Sequence, residues 1–426
     1  MYNLTAHFVA FCKKHARIIF YIGLLAIILP EITVYFNKPA RGADIFGYLA
    51  AGHDALALND LYANSAPGKN NTWPPFFSFF ISPLALISEI VGIPFTKLFW
   101  YFVNFTALIL SMKIISILLY GKNPSLFKRS TFSFTSDKVF VPALLVLPAL
   151  VNNFFMLQIN ALIMFLVFYS LLLDTKNKPV KAGFFLALAA SIKAYPGLFL
   201  FYLLFRKKWK TSIYTMIFGI LLTISPVIFY GVDGFIELFK NWLSLSFSKP
   251  FIIGYSTFNN HSLYAFWERL LAHQLHITTP ASQMIKLFNL SSILIILILS
   301  FTVLLRFASP DRPLLRMIEF SVISTMMILF PPIAWVHYWI IMLPAAATIY
   351  YCARMIPESM TLPIRVLSIV SLLLIQLPYF FSGSIIKTFL KTYSCYTFSA
   401  LLALLVLLLL FIQPKVRTFI IVPDNK

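Results

Sequence analysis

Residues 396–413 read YTFSALLALLVLLLLFIQ, a stretch without a single charged residue. As a helix it is long enough to cross the hydrocarbon core of a bilayer, which is about 30 Å thick. Comparable apolar stretches recur from residue 16 onward. Because lipid offers the backbone no hydrogen bonds, these spans must be helices. The sequence therefore predicts an all-α polytopic membrane protein.

Composition supports this class. Of 426 residues, 60% are hydrophobic and 11% are charged, whereas soluble proteins carry about a quarter charged residues. This excludes a disordered chain and an ordinary soluble domain. The formal net charge of +20 comes from bases clustered beside apolar spans, as at 206–210, and such clusters mark the cytoplasmic side. The predicted surroundings are membrane lipids, and the charge requires no nucleic acid.

We predict a single integral-membrane domain over residues 1–426. Its spans lie near 16–36, 95–120, 139–157, 158–174, 182–205, 211–230, 284–307, 317–335, 338–353, 363–382 and 396–413. The first is expected to be a retained anchor, because it lacks the small-residue cleavage pattern of a signal peptide. With basic residues inside, 37–73 and 231–262 become external loops, and 414–426 becomes a cytoplasmic tail.

Two segments do not fit simple crossings. In 74–93, prolines at 74, 75, 83 and 94 interrupt the apolar run, so we expect a broken or partial insertion. Two full spans within 74–120 would place the basic loop after residue 121 outside, against the charge rule. Segment 182–205 has basic clusters at both ends, which favours a hairpin broken at Pro196 with arms of roughly 18 Å. Its tip would carry Lys193 deep into or through the bilayer.

Asp44 is one of three acids in the first external loop, within 42–61, whose apolar spacing predicts a helix along the membrane interface. Tyr48 follows at i+4 and shares its face. Asp44 is open to three interpretations: a helix N-terminal acid, a partner for Arg41, or a general base whose pKa is raised by desolvation.

Lys193 is costly in lipid and has two interpretations. It is either a lysine that extends to the interface with its stem on apolar neighbours, or a fixed cation for a phosphate at membrane depth. Glu31, in the first predicted span, is best explained by a near-surface or water-filled position.

Other polar residues also interrupt apolar sequence. His337, in FPPIAWVHYW, is either an aromatic-belt histidine or a functional one. His261 lies between Asn260 and Ser262, and these two neighbours suit either hydroxyl-rich ligands or a cap of the following helix. Gln158 and Asn160 lie between two predicted spans, where a turn or interhelical hydrogen bonds would also explain them.

Several kinds of site are missing from the sequence. It contains no phosphate-binding glycine-rich loop, no HExxH, no GxSxG and no pair of acids separated by one residue. Its three cysteines, Cys12, Cys352 and Cys395, are widely spaced and predict neither a disulfide framework nor a metal site. No metal and no cofactor are therefore predicted.

Three short motifs follow one another in the first half. Segment 43–52, ADIFGYLAAG, contains Asp, Tyr and Ala-Gly at the spacing Asp-aromatic-x-x-Tyr-x-x-Ala-Gly, with Ile45 at the aromatic position. Segment 73–86, WPPFFSFFISPLAL, resembles a Tyr-Pro-Pro motif but has Trp73 at the position of the Tyr. LQINAL at 157–162 has a Gly-Gln-x-Asn pattern with Leu157 for Gly.

Three more motifs complete the series. Segment 193–210, KAYPGLFLFYLLFRKKWK, has Lys-x-x-Pro before Tyr-Leu-Leu and a basic cluster. NHSL at 260–263 has an Asn-Gln-Ser-Leu pattern with His261 for Gln. WVHYW at 335–339 has a Trp-acid-His pattern with Val336 for the acid. In this order, from residue 41 to about 345, the motifs resemble glycosyltransferase family 87 of the GT-C fold.

This resemblance implies a GT-C-like bundle of roughly ten to thirteen transmembrane helices with interfacial helices in the first external loop. It implies transfer of a hexose, often mannose, from a polyprenyl-phosphate sugar to a lipid-linked or envelope glycan. The transfer would occur at the outer face of a membrane, here expected to be a bacterial cytoplasmic membrane.

Asp44 corresponds to the family's proposed base and would act with inversion. Lys193 and His337 are the candidate phosphate contacts. Further substrate contacts are expected from Tyr48, Gln158, Asn160, Asn260 and His261.

Two other functions remain open from sequence alone. A transporter or lipid flippase would use Glu31 and Lys193 along its pathway, and broken proline-containing spans suit such a protein. A non-catalytic assembly subunit would keep the fold without the chemistry. Against the carrier, the polar residues concentrate on one face, and no paired halves are visible.

Overall fold

The structure is a computed structural model that describes residues 42–62, 71–121, 137–252, 259–274, 281–306, 312–381 and 385–419. Within these ranges the regular elements are helices and no strand occurs. The predicted span at 16–36, with Cys12, Glu31 and Arg41, lies outside the described residues. The predicted all-α architecture is confirmed in the part of the chain that the structure covers.

The α-helices in chain order are α1 (Ala43–Leu56), α2 (Pro75–Val91), α3 (Ile93–Tyr120), α4 (Asp137–Leu145), α5 (Leu147–Phe155), α6 (Asn160–Thr175), α7 (Pro179–Ile192), α8 (Leu198–Phe205), α9 (Trp209–Ile224), α10 (Val227–Ile252, kinked at Gly231), α11 (Leu263–Glu268), α12 (Ala281–Arg306), α13 (Pro313–Leu329), α14 (Leu343–Met355), α15 (Leu362–Phe380), α16 (Ile385–Thr392), α17 (Cys395–Ile412) and α18 (Pro414–Thr418). Short 3₁₀ turns cover Tyr195–Gly197, Val336–Met342 and Pro357–Ser359, and a π-helical turn covers Arg269–Gln274.

Five helical segments of the described chain are long and apolar enough to cross a membrane: Ile93–Tyr120, Gln283–Arg306, Val336–Met355, Leu362–Phe380 and Cys395–Ile412. Two bent pairs raise the number to seven, α5 with α6 at 119° and α9 with Val227–Ser246 at 87°. The protein is therefore a polytopic membrane protein. The larger number expected from the resemblance also included the span before residue 42 and shorter helices, such as the 17-residue α13.

The hairpin predicted for 182–205 is present. Asp174, near the end of α6, contacts Lys208 at 3.6 Å and accepts a hydrogen bond from Thr211 at 2.5 Å. The start of α7 and the start of α9 therefore lie at the same end of the bundle, here called the basic end. The break lies at Lys193, before the expected Pro196, because Lys193 has an extended backbone with φ −142° and ψ 132°.

Segment 74–93 contains one continuous helix, α2, so the interruption expected from the internal Pro83 does not occur, and the alternative of a partial insertion stays a prediction. Pro83 has no N–H to donate to the Phe79 carbonyl, and the Ser82 hydroxyl donates to that carbonyl instead, at 2.8 Å. Helix α2 packs closely on α1 at Gly52, where an added Cβ would lie 2.9 Å from the Ala85 Cβ. Gly92, with φ +80°, then separates α2 from α3.

Helix α8 is fixed to α13 by a buried charge pair. Glu319 accepts hydrogen bonds from the Tyr202 hydroxyl at 2.7 Å and from the Arg206 Nε at 3.0 Å, and the Arg206 Nη2 also contacts its carboxylate. A buried carboxylate needs this kind of complete pairing, because a lone charge there would be very costly. The pair lies near the basic end, since Arg206 immediately precedes the 207–210 cluster.

Candidate active site

The site is built around a sharp bend between α5 and α6. Leu157 has φ +55°, a conformation that glycine adopts more easily than leucine, and here the Trp100 indole donates to its carbonyl at 2.9 Å. The Leu157 side chain covers Gly42, where an added Cβ would lie only 2.6 Å from the leucine Cδ1. The bend and the start of α1 therefore fix each other's positions.

Gln158, the next residue, connects the Asp44 carboxylate to the Lys193 ammonium. Its Nε2 donates to the Asp44 Oδ2 at 2.5 Å. Its Oε1 accepts from the Tyr48 hydroxyl at 3.0 Å and from the Lys193 Nζ at 3.4 Å. One buried amide thus contacts the carboxylate on one side and the ammonium on the other.

Helix α1 forms as predicted and places Asp44 and Tyr48 on one face. Tyr48 is fully buried, its hydroxyl accepts from the Ile159 N–H at 3.3 Å, and three aromatic rings surround it edge-on. Their centroids lie at 5.0 Å for Trp73, 5.3 Å for Phe77 and 6.1 Å for Trp100. This aromatic packing holds the helix that carries the carboxylate.

Asp44 is half-buried in the first turn of α1, outside the spanning helices. Burial raises the pKa of its carboxyl above the usual value. The hydrogen bond from Gln158 and the charge of Lys193 lower the pKa, but by less than burial raises it. The carboxylate is consequently a stronger base than an exposed aspartate.

Lys193 is 7% exposed and follows the last residue of α7. Its Nζ donates to the Asn160 Oδ1 at 2.9 Å, and the Tyr338 ring centroid lies 4.9 Å from the same nitrogen. The Tyr195 hydroxyl donates to that Asn160 oxygen at 3.1 Å. Among the described residues the ammonium bonds only neutral amide oxygens, so its charge is not neutralised by a direct ion pair.

His337 lies in the 3₁₀ turn Val336–Met342 and is buried. Its carbonyl accepts from the Asn160 Nδ2 at 3.3 Å, and its ring packs against Tyr338 with centroids 5.3 Å apart. Asn160 therefore connects the histidine backbone to Lys193. The structure brings His337 to the same end of the bundle as Asp44.

Asn260 forms hydrogen bonds to the loop before His337. Its Nδ2 donates to the Pro332 carbonyl at 3.0 Å, and its Oδ1 accepts from the Ala334 N–H at 2.9 Å and from the Ser262 N–H at 3.2 Å. Ser262 caps α11 by accepting from Ala265 N–H at 3.1 Å, as the cap interpretation expected. Both the nitrogen and the oxygen of the Asn260 amide thus bond groups within the protein.

His261 is completely buried between two aromatic rings, with centroids 4.5 Å away for Tyr396 and 5.8 Å for Trp339. Neither ring nitrogen has a hydrogen-bond partner among the described residues. Burial, followed by the charges of Arg269 and Lys391, lowers the His261 pKa well below its usual value, so the ring is neutral. No described hydrogen bond joins it to the Asp44 and Lys193 cluster.

Three residues around the site were not singled out from the sequence. Tyr195 and Tyr338 flank the Lys193 ammonium; Tyr195 lies two residues after Lys193 in the sequence, and Tyr338 directly follows His337. Arg269, 1% exposed, donates to the Asn260 carbonyl at 2.6 Å and to the Ser394 hydroxyl through Nε and Nη2. Nothing in the sequence around Arg269 distinguishes it from a surface arginine.

The described ranges also bear on metal binding. They contain no group of three or more His, Cys, Asp or Glu side chains close enough to hold a metal ion. Cys352 and Cys395 are both buried and unpaired.

Comparison with known proteins identifies the family. The family model "Glycosyltransferase family 87" matches residues 71–332, more than half of the chain. The match includes Gln158, Asn160, Lys193 and His261, begins after Asp44 and ends before His337. No curated protein and no solved structure matches the chain. The resemblance seen in the sequence motifs is confirmed, and this membrane protein belongs to glycosyltransferase family 87.

Proposed function

We propose that this membrane glycosyltransferase transfers a hexose, with mannose as the first candidate, from a polyprenyl-phosphate sugar to a lipid-linked or envelope glycan. The observation that carries the proposal is the pairing of a basic carboxylate with a buried cation across one amide, Asp44–Gln158–Lys193. A transfer from a sugar phosphate needs a base for the acceptor and a cation for the leaving phosphate.

Asp44 serves as the general base. Its carboxylate takes the proton from an acceptor hydroxyl while that oxygen attacks the anomeric carbon. The bond from the anomeric carbon to the phosphate oxygen breaks, and the polyprenyl phosphate leaves with the electron pair. One such displacement inverts the anomeric centre. The raised pKa of Asp44 supports this role, because a stronger base accepts the proton more readily.

Lys193 binds the donor phosphate. Its ammonium is held by the Asn160 oxygen and flanked by Tyr338, and its charge is available to an anion. Within a low-dielectric site a fixed cation stabilises the negative charge that develops on the leaving group. The ring of His337, whose backbone Asn160 holds, supplies a second contact to the phosphate.

Gln158 and Tyr48 position the base, since both bond within the network that contains Asp44. Asn260 and His261 support the donor site indirectly, through the residues that they hold in place. Asn260 fixes the 332–334 loop that leads to His337, and His261 packs under the same turn against Trp339. We assign both a supporting role for the donor site.

The reaction occurs at the non-cytoplasmic face, in a bacterial cytoplasmic membrane. The support is the fold: Asn160 and Thr175 are the two ends of α6, with the candidate site at the first and the basic end at the second. Clustered basic residues mark the cytoplasmic side, so the opposite end faces outward.

Replacing Asp44 by Asn tests the base. The change keeps the side-chain shape and an oxygen for Gln158 but removes the ability to take a proton. Transfer from a polyprenyl-phosphate sugar should fall about 10²- to 10⁴-fold at unchanged melting temperature. Asp54→Asn, in the same helix with its carboxylate bonded to Asn59, is the matched control and should retain full turnover. Activity of Asp44→Asn within threefold of wild type would exclude the role.

The pH profile tests the raised pKa. Because the base must be ionised, kcat/KM should fall as the pH drops through the Asp44 pKa, which lies above the ordinary 3.8. The Lys193 charge lowers this pKa, so Lys193→Gln should move the acid limb to higher pH. Initial rates between about pH 4 and 8 measure the acid limb of the wild type and that of Lys193→Gln. An acid limb that stays in place in Lys193→Gln would contradict the arrangement.

Lys193→Gln also tests donor binding. A charge-assisted contact to phosphate contributes about 1.5–3 kcal/mol, so the KM for the donor should rise about 10- to 100-fold. Lys391→Gln is the control, because it removes the same charge from an exposed bond to Asn259 near the same end. A normal donor KM in Lys193→Gln, measured with folded protein, would reject Lys193 as the phosphate contact.

A further inference from the structure

Residues 232–246, in the second part of α10, form a helical segment at the end of the bundle that holds the candidate site. Gly231 interrupts α10 with φ +69° and ψ 178°, so the 232–246 helix has a direction of its own. The preceding helix α9 starts beside Lys208 at the basic end, and its 16 residues cover about 24 Å toward the opposite end. There the Tyr230 hydroxyl donates to the Asn59 carbonyl at 2.7 Å, just beyond the end of α1.

The 232–246 helix lies nearly perpendicular to α9. The segment Val227–Ser246 is bent by 87° from α9, and most of its residues follow Gly231. Helices that cross a bilayer are tilted from its normal by about 20° on average. If α9 crosses the membrane, the 232–246 helix therefore runs close to the membrane plane.

Polar and apolar residues of this helix lie on opposite sides. With 3.6 residues per turn, the polar residues fall within about 100° of the helix circumference. These polar residues are Asp233, Glu237, Lys240, Asn241 and Ser244. The other side carries Val232, Phe235, Ile236, Phe239, Trp242 and Leu243. An amphipathic helix with aromatic residues on its apolar side is typical of helices that lie in the interface of a bilayer.

The apolar side is accessible from outside the bundle. Ile236 is 42% exposed. Phe235, Phe239 and Trp242 are half-buried and form a row, in which the centroid of Phe239 lies 5.8 Å from that of Phe235 and 5.5 Å from that of Trp242. Aromatic rings on the apolar side of an interfacial helix insert at the boundary between lipid headgroups and acyl chains.

The exposed apolar surface of α9 continues into this helix. Exposed side chains follow one another across the bend at Ile220, Ile224, Ile228 and Val232, with exposed fractions of 61%, 43%, 80% and 62%. Lipid that contacts the end of α9 therefore also reaches the start of the 232–246 helix. This continuity favours lipid over a second protein chain as the partner of the apolar side.

Leu238 connects the helix to α1. Its side chain is 3% exposed and packs with Ala55, in the last turn of α1, and with Leu61, which follows α1. Asp44 lies in the first turn of the same α1. The position of the 232–246 helix is thus coupled to the helix that carries the candidate base.

We propose that the 232–246 helix lies in the headgroup region of the leaflet on the candidate-site side and buries its apolar side among the lipid acyl chains. Its charged residues are two acids and one base, so the contact depends on apolar burial more than on lipid charge. Through Leu238, the membrane surface then sets the depth at which α1 lies.

Spin labels on the full-length protein test this orientation. The three native cysteines are replaced by Ala, and Phe235→Cys, Phe239→Cys, Trp242→Cys, Glu237→Cys and Lys240→Cys are labelled one at a time in phosphatidylcholine nanodiscs. Labels at 235, 239 and 242 should collide with oxygen more than with a water-soluble nickel chelate, and should share one depth about 5–10 Å into the headgroup and acyl boundary. Labels at 237 and 240 should collide mainly with the nickel chelate.

Tryptophan quenching tests the same side without labels. Lipids brominated on their acyl chains quench tryptophans that contact them. Trp242→Phe should lower the quenched fraction of the intrinsic fluorescence, whereas Trp339→Phe, at a completely buried position, should not lower it. Neither measurement uses glycosyl transfer, so the outcome is independent of the proposed function.

Four results would overturn the proposal. Apolar-side labels that nickel reaches as readily as oxygen would place that side in water. Labels that neither reagent reaches would place it against protein, either another segment of this chain or a second copy. A depth that changes by about 10 Å between positions 235 and 242 would mean that the helix crosses the bilayer. An unchanged quenched fraction in Trp242→Phe would contradict the lipid contact.

Discussion

A neutral amide between two charges is the interaction on which this site depends. Gln158 offers one donor group and one acceptor oxygen, and it uses them on Asp44 and Lys193 respectively. In a direct ion pair the charges of Asp44 and Lys193 would neutralise each other. Separation by an amide lets each group be held in a buried position while it keeps its chemistry, and burial of either charge without such a contact would be costly.

The fold explains how polar groups from distant parts of the sequence meet at one depth. Non-helical backbone is tolerated in membrane proteins only where protein or a water-filled cavity surrounds it. Here the bend at Leu157, the break at Lys193 and the turn before His337 all occur within the packed bundle. Each interruption ends or begins a helix at the same end of the molecule. The short helices therefore place the polar residues at their ends within the candidate site.

Much of this could be predicted from the sequence, because the constraints were local. Basic clusters on both sides of 182–205 predicted the hairpin, and the i+4 spacing of Asp44 and Tyr48 predicted a shared face. The motif order predicted the family. The candidate site lies at one end of the described bundle, which also fits a transferase better than a carrier, since a carrier needs access from both sides.

Other features depend on contacts that no local pattern contains. Pro83 leaves α2 intact because the neighbouring serine replaces the missing donor. The role of Asn260 as a clamp on the 332–334 loop depends on groups about 70 residues away. The cation site of Tyr195 and Tyr338 requires two separate turns to face each other. Such features depend on tertiary contacts between residues that are distant in the sequence, so local sequence patterns do not predict them.

The central claim is that Gln158 acts through Asp44. The most direct measurement is the turnover number, at saturating donor, of Gln158→Leu in the wild-type and in the Asp44→Asn background. If the amide orients the base, Gln158→Leu will lower turnover in the wild type and have almost no further effect once the carboxylate is gone. Losses that multiply in the double variant would show that the two residues act independently, and would contradict the account.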